Sequence, residues 1–291
     1  MSHSKNFQKL LDRIRDNKDR VVAVVVHLND TYLIEERAGR LPGFGRLIAT
    51  VGHLREYVKR TIGDDRVLVV HSGDFLGPSL LAKKDTGRAM VELLEKVGLH
   101  YCVLGNHEFD HKAEVLGERV NRKKFKVLVA NSEDPAGLVR TSKGDWWPPG
   151  TRDVAITGVV SESVHKSFRS PVIDDRSGTK TEKSWDFEPP NEALLRFLDI
   201  SRDALFHIIL SHASQHEDRR LRRQIPALSR TYVLGGHDHD IEWVENDQSV
   251  YVMKNLANCE TVRVCLLLSG GESVVRELVA REGSCGECEA P

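Results

Sequence analysis

The sequence predicts an α/β fold, and three observations carry that reading. Short apolar runs of strand length alternate with segments of helical period along the chain. The first run, Val21 to Leu28, is rich in β-branched residues and apolar along its length, as a strand covered on both faces should be. Five runs are followed directly by a polar cluster, at the point where an α/β sheet presents its functional loops. The clusters are Asn29-Asp30, Gly73-Asp74, Gly105 to Asp110, Ser211-His212 and Gly236-His237-Asp238-His239.

The elements follow in order. Met1 to Arg20 lacks the apolar core of a signal peptide and reads as an amphipathic helix, with Phe7, Leu10, Leu11 and Ile14 on one face. After the first strand, Phe44, Leu47, Ile48, Val51, Leu54 and Val58 recur at helical spacing. Val67 to Val70 reads as a second buried strand, and Met90 to Val97 as part of the next helix. Tyr101 to Leu104 and Val127 to Ala130 read as strands with a helix between them. Asp134 to Pro149, with paired Trp146-Trp147, and Ser170 to Pro190 lose the pattern and are expected to be long loops or insertions within one domain. Val154 to Val160 between them looks like core. Asn191 to Ser201 reads as a helix, and His207 to Leu210 and Thr231 to Leu234 as strands. Ile241 to Ala280 shows strand-like stretches with hairpin signals at Asn246-Asp247 and Gly270-Gly271. We expect a helical extension over 1–20, one large domain over 21–282 and a flexible tail over 283–291.

Composition removes several function classes. The 291 residues can bury a large core, and 42 basic against 43 acidic residues leave a formal net charge of -1. A polynucleotide binder shows a basic excess, so no nucleic-acid polymer is expected. The apolar runs are too short to cross a bilayer, so no membrane partner is expected either. With no export signal, a cytoplasmic location is the expectation. Five cysteines without framework spacing agree. Cys102, Cys259 and Cys265 read as buried core thiols, and the lone CxxC of Cys285 and Cys288 as part of the tail.

The clusters supply two carboxylates, an amide oxygen and three imidazoles, a donor set suited to a pair of divalent cations. A carboxylate such as Asp30 or Asp74 can bridge two cations, and a pair about 3.5–4 Å apart can clamp the oxygens of an in-line displacement at phosphorus. Each aspartate could equally cap a helix, but two of them with the later histidines favour the cations. Asn106 can ligate through its carbonyl oxygen. His107 can project toward a substrate, with Asp110, three residues on, holding that imidazole in one tautomer; on this segment alone, a polar turn capping the helix that follows is the alternative. His237 and His239, two apart in an extended segment, point the same way and can serve different cations. His212 is the third imidazole. His27, His207 and His216 read as structural or exposed.

In order and spacing these motifs resemble the calcineurin-like metallophosphoesterases over Val21 to Leu268, and the strings Gly105 to Asp110 and Leu234 to Asp240 resemble the 5'-nucleotidase branch. So does Leu210-Ser211-His212 followed by Asp218 to Leu221 and Pro226. The resemblance implies a four-layer α/β/β/α sandwich with a dimetal centre at the strand ends. It implies that one cation takes Asp30, Asp74 and His239, and the other Asp74, Asn106, His212 and His237. It implies that a shared hydroxide is the nucleophile and that His107, paired with Asp110, assists the leaving oxygen. The substrate is then a small-molecule phosphate ester, and the cofactors are two divalent ions from among Mn, Mg, Zn, Fe and Ni.

Two departures qualify it. The family shows Asp, any residue, then His in its first motif, whereas this chain has Asp30-Thr31-Tyr32. Tyr32 can ligate, hydrogen-bond a water in that position, or pack. One nitrogen fewer tilts the first site toward Mn or Mg over Zn. The second departure is length: the chain stops about where exported 5'-nucleotidases begin a further domain, so their nucleotide specificity does not carry over. Trp146, Trp147 and Trp185 are candidates for stacking a substrate, with anchoring to the core as the commoner role. Arg219 to Arg223 reads as a solvated helix face. A phosphomonoesterase is the leading expectation, with a phosphodiesterase or pyrophosphohydrolase, or a non-catalytic scaffold, as alternatives.

Overall fold

All eight side chains of β1, Val21–Leu28, are buried, because both faces of this valine-rich strand are covered. The computed structural model describes residues 5–33, 43–161, 168–173, 180–226, 230–245 and 250–280. β1 lies within a seven-stranded sheet. Beside it run β2 (Val67–His71), β3 (Tyr101–Cys102), β4 (Lys126–Leu128) and β6 (Thr141–Ser142), all parallel. On its other side lie β16 (Thr261–Leu268) and β17 (Ser273–Ala280), both antiparallel to their neighbours.

The second sheet has six strands. Its parallel centre is β8 (Val154–Val160), β12 (Phe206–His212), β13 (Arg230–Gly235) and β15 (Val250–Lys254). Antiparallel edges are formed by β7 (Asp145–Trp147) and β14 (Glu242–Glu245). Parallel neighbours require crossovers, and helices supply most of them. On the first sheet these are α2 (Gly43–Ile62), α3 (Leu80–Asp85), α4 (Arg88–Val97) and α5 (Ala113–Val120). On the second they are α6 (Pro190–Ile200) and α7 (Gln215–Gln224). None of the described helices is long and apolar enough to cross a membrane.

Alternation along the second sheet divides the interior. Ile156, Ile208, Leu210, Leu234 and Met253 face the first sheet in one core. Their neighbours Ala155, Ile209, Val233 and Val252 face α6 and α7 in another, against Leu194, Phe197 and Leu221. The result is helices, sheet, sheet, helices: the expected four layers. α1 (Lys5–Asp16) buries Phe7, Leu10, Leu11 and Ile14 on the face its sequence marked, against α2 and β17 in the helical layer of the first sheet.

Of the two readings given for these stretches, long loops or insertions within the domain, the structure favours insertions, because short paired strands fill them. Trp146 and Trp147 belong to β7, paired in register with Ala155 and Val154, so backbone pairing to an apolar strand organises them. β5 (Ser132–Glu133) pairs with β11 (Asp186–Phe187), and β9 (Arg169–Ile173) with β10 (Lys180–Ser184). Trp185 is buried in a ring cluster with Phe109, Phe168 and Phe187, its indole N–H on Ser170 Oγ at 2.9 Å. These elements have few apolar residues of their own, so periodicity misses them. Asn246-Asp247, Cys285 with Cys288, and the 283–291 tail lie outside the described residues.

Candidate metal centre

Every candidate residue lies just past the C-terminal end of a parallel strand. Asp30 follows β1, Asp74 follows β2, Asn106, His107 and Asp110 follow β3, His212 ends β12, and His237 and His239 follow β13. Strand ends from both sheets thus meet at one edge of the sandwich. Four of these residues hold positive φ: Asp30 at 50°, Asp74 at 61°, His237 at 81° and His239 at 61°. Side chains rarely adopt that region, which costs on the order of 1–3 kcal/mol each and clusters at functional sites. Glycine is required where backbones approach. A Cβ on Gly236 would lie 2.5 Å from Ser72 O and 2.9 Å from Asp30 Oδ2.

Around Asp74 the donors form two groups. In one, His212 Nε2 lies 3.2 Å from both Asp74 Oδ2 and Asn106 Oδ1, and His237 Nδ1 lies 3.1 Å from Asn106 Oδ1. In the other, Asp30 Oδ1 lies 3.3 Å from His239 Nε2. The Tyr32 hydroxyl stands 3.1 Å from each of Asp30 Oδ1, Asp74 Oδ2 and His239 Nε2. Ligand atoms of Asp30, Asp74 and His212 all fall within 4.8 Å of one another. All six predicted ligands are therefore brought together, and Tyr32 joins them.

The electrostatics suit a cation. Burial alone would lower the His212 imidazole, but Asp74, and then Asp30, outweigh it and push it up to about 9. Burial likewise opposes ionisation of Asp30 and Asp74, yet the hydrogen bond from His239 for Asp30 and the charge of His212 for Asp74 hold both carboxyls low. The hydrogen bond to Asp30 raises His239. The carboxylates thus draw a proton onto His212 and His239, a positive charge that a metal ion would replace, while burial and then His212 lower His237. Burial, then Asp30 and Asp74, raise the Tyr32 hydroxyl far above its ordinary range, and a bound cation reverses that field. Carboxylate, amide and imidazole donors at this spacing fit a divalent ion.

His107 Nδ1 meets Asp110 Oδ2 at 2.6 Å, and its backbone N–H donates to Asp74 Oδ1 at 2.8 Å. The carboxylate fixes Nδ1, so Nε2 is the nitrogen that can serve a substrate oxygen.

Several supporting residues escaped the sequence reading. Glu108 is fully buried and accepts backbone N–H groups from Gly105, Asp74, Phe75 and Leu76 at 2.6–2.9 Å. Burial and the Asp74 carboxylate raise its carboxyl, and the amides pull it back. Lys254, 1% exposed, donates to Ala213 O, Gly236 O and Asp238 Oδ2 and pairs with Asp218 Oδ2 at 3.0 Å. Asn258 Oδ1 accepts the backbone N–H groups of Tyr32 and Leu33. A lysine ending an apolar strand was the one available signal among them. His27 is no ligand: buried, it meets Ser72 Oγ at 2.9 Å, and that hydroxyl donates to Leu234 O of the second sheet.

Two tryptophans stand apart from this centre, and the third, Trp185, packs on Phe109 behind the His107 turn. Trp146 and Trp147 line a cavity of about 550 Å³ with His100, Tyr101 and Lys126, at the opposite strand ends. Their stacking on a substrate held at the metal centre is thereby excluded, and Trp185 is buried. A second cavity of about 250 Å³, lined by Ser161, Asn191, Glu217 and Arg220, touches none of the predicted ligands.

Known proteins resemble this chain to different extents. The chain is 24% identical to an apyrase of Tabanus yao over 239 residues, 75% of this chain and 39% of that protein. It is 32% identical to a probable 5'-nucleotidase of Treponema pallidum (strain Nichols) over 130 residues, 43% of this chain and 22% of that protein. It thus spans well under half the length of these curated relatives. The crystal structure of a 5'-nucleotidase precursor from Thermus thermophilus superposes with a TM-score of 0.69 at 19% identity, covering 89% of this chain and 55% of that one, a likeness of fold. The family model for calcineurin-like phosphoesterases matches residues 23–240, which contain all eight predicted site residues, and the chain belongs to that family of metal-dependent phosphoester hydrolases.

Proposed function

We propose that this chain hydrolyses phosphate monoesters, nucleotides among them, at a two-cation centre. The observation that carries the reading is the pair of donor groups meeting at Asp74, with 3.1–3.3 Å between neighbouring donor atoms. Donors around one cation at about 2.1 Å lie about 3.0 Å apart when adjacent in an octahedron and about 3.4 Å apart in a tetrahedron. Asp74 Oδ2 borders both groups, so it would be the bridging carboxylate. Asp30 and His239 would complete the first site, and Asn106, His212 and His237 the second. Two divalent ions would supply Lewis-acid stabilisation of the phosphoryl oxygens and a water acidified toward neutral pH.

The chain's own residues do the rest. Asp74 and Asn106, adjacent to His107, fix where a phosphoryl group would sit relative to that imidazole. His107, oriented by Asp110, would donate through Nε2 to the departing oxygen, and the Asp110 carboxylate would stabilise its cationic form. The names of the relatives, an apyrase and a probable 5'-nucleotidase, make nucleotides the first substrates to try.

Replacing His107 by Asn tests the assignment. Turnover is expected to fall by roughly 10²–10⁴-fold while bound metal stays constant. Full activity in that variant would overturn the role of His107. A panel of p-nitrophenyl phosphate, bis-p-nitrophenyl phosphate, nucleoside monophosphates and dinucleotides, run with Mn, Mg, Ni and Zn, separates monoester from diester chemistry.

A further inference from the structure

We infer that the Tyr32 phenolic oxygen is a ligand of the first cation, an oxygen donor in the position where the family pattern has an imidazole. The inference rests on the two-cation reading and adds to it a donor that the family pattern lacks.

Geometry carries it. The phenolic oxygen is 3.1 Å from Asp30 Oδ1, Asp74 Oδ2 and His239 Nε2, and Asp30 Oδ1 is 3.3 Å from His239 Nε2. Those separations match the ligand-to-ligand spacing of one coordination sphere (about 3.0–3.4 Å). They also match the 3.1–3.2 Å spacing among Asn106, His212, His237 and Asp74 in the second group. Tyr101 shows the ordinary case, its hydroxyl donating to the single carboxylate of Asp145 at 2.8 Å, whereas the Tyr32 oxygen sits equidistant from three candidate ligand atoms. This one is directed at two carboxylates.

The residue is also held from behind. Its backbone N–H donates to Asn258 Oδ1 at 2.7 Å, and Asn258 N donates to Asp30 O at 2.8 Å. Its ring sits edge-on to His107, with centroids 6.0 Å apart, and tilted against His239 at 5.6 Å. Asp30 and Tyr32 are thereby locked as one unit, which is how supporting groups preorganise a metal site. Coordination replaces the phenolic O–H bond by an oxygen–metal bond, the proton leaving to solvent. The resulting donor set of two carboxylates, a phenolate and one imidazole is hard and anionic, favouring Mn(II), Mg(II) or Fe(III) over Zn(II).

The test uses the full chain, stripped of metal and reloaded. Mn(II) binding is counted by equilibrium dialysis in wild type, Y32F and Y32H. Separately, Fe(III) serves as a probe, because phenolate bound to it gives a visible charge-transfer band. We expect two Mn(II) in wild type, with one of them bound about tenfold or more weakly in Y32F. Y32H is expected to restore the second ion, which also shows that the position folds when substituted. The Fe(III) band is expected in wild type alone. Two ions held at wild-type strength by Y32F, with no band in wild type, overturn the inference and leave the two-cation reading intact. A single ion in wild type that persists in Y32F overturns both.

Discussion

Two buried charges of opposite sign organise the two sides of the centre. On the first sheet, the loops after β2 and β3 turn four backbone N–H groups inward, and the Glu108 carboxylate accepts all of them. On the second, the loops after β12 and β13 turn the Ala213 and Gly236 carbonyls inward, and the Lys254 ammonium donates to both. Glu108 is balanced by peptide dipoles, whereas Lys254 is balanced by the carboxylates of Asp218 and Asp238. The difference teaches that a strand-end loop need not satisfy itself. One side chain of matching polarity can hold two loops, provided every remaining group is paired.

Removing the ammonium should have the largest effect. Lys254→Met leaves the fully buried Asp218 without its counter-charge and should cost about 3–5 kcal/mol, read from urea unfolding. A smaller loss than that of the Glu108 variant would break the contrast. Glu108→Gln places an amide NH2 against N–H donors and should cost roughly 1–3 kcal/mol. It should also weaken metal binding, because Asp74 N loses its anchor.

Acid sharpens the comparison through a different set of groups. Burial, with His71 beside it, lowers His27 to about 3, and burial lowers His71 to about 3 and His100 to about 4, all on the first sheet. On the second, burial lowers His207 to about 4. These folded values lie below the ordinary 6.5, so the folded state binds fewer protons than the unfolded chain. Their contribution is complete above pH 6.5 and is lost as pH falls from there toward 4 and then 3. Each histidine contributes at most about 1.4 kcal/mol per pH unit in that window. Urea melts at several pH values should therefore flatten more for a first-sheet pair such as H27Q/H100Q than for H207Q. The smallest effect is the coupling between the two buried charges. If they act independently, Lys254→Met and Glu108→Gln should add to within about 0.5 kcal/mol, and a larger coupling energy would show that the two charges interact through the strand-end loops between them.

Much of this was legible in the chain. β1 and β8 have the same bounds in sequence and structure, and the apolar face of α1 was read residue by residue. Asp30, Asp74, Asn106, His212, His237 and His239 carry their chemistry in short motifs just after apolar runs, so position along the chain suffices to find them. β7, β9 and β10 were not legible, because each is too short or too polar to show an apolar period along the chain. Trp146 and Trp147 take the anchoring role that the sequence reading named as the commoner one, but a pair of tryptophans in a polar stretch says nothing about which end of the sheet it reaches.

By itself, the sequence determined which residues could ligate, on which strand ends they stand, and that one imidazole of the family pattern is replaced by Tyr32. These are local facts, set by residue type and by the two-residue and 3.6-residue periods of backbone geometry. Only the tertiary structure decided what Tyr32 faces, because its anchor, Asn258, lies 226 residues away. The same holds for Glu108 and Lys254, whose partners come from other strand ends. A buried charge is tolerated only where distant chain segments converge to pair it, and no local pattern records that convergence.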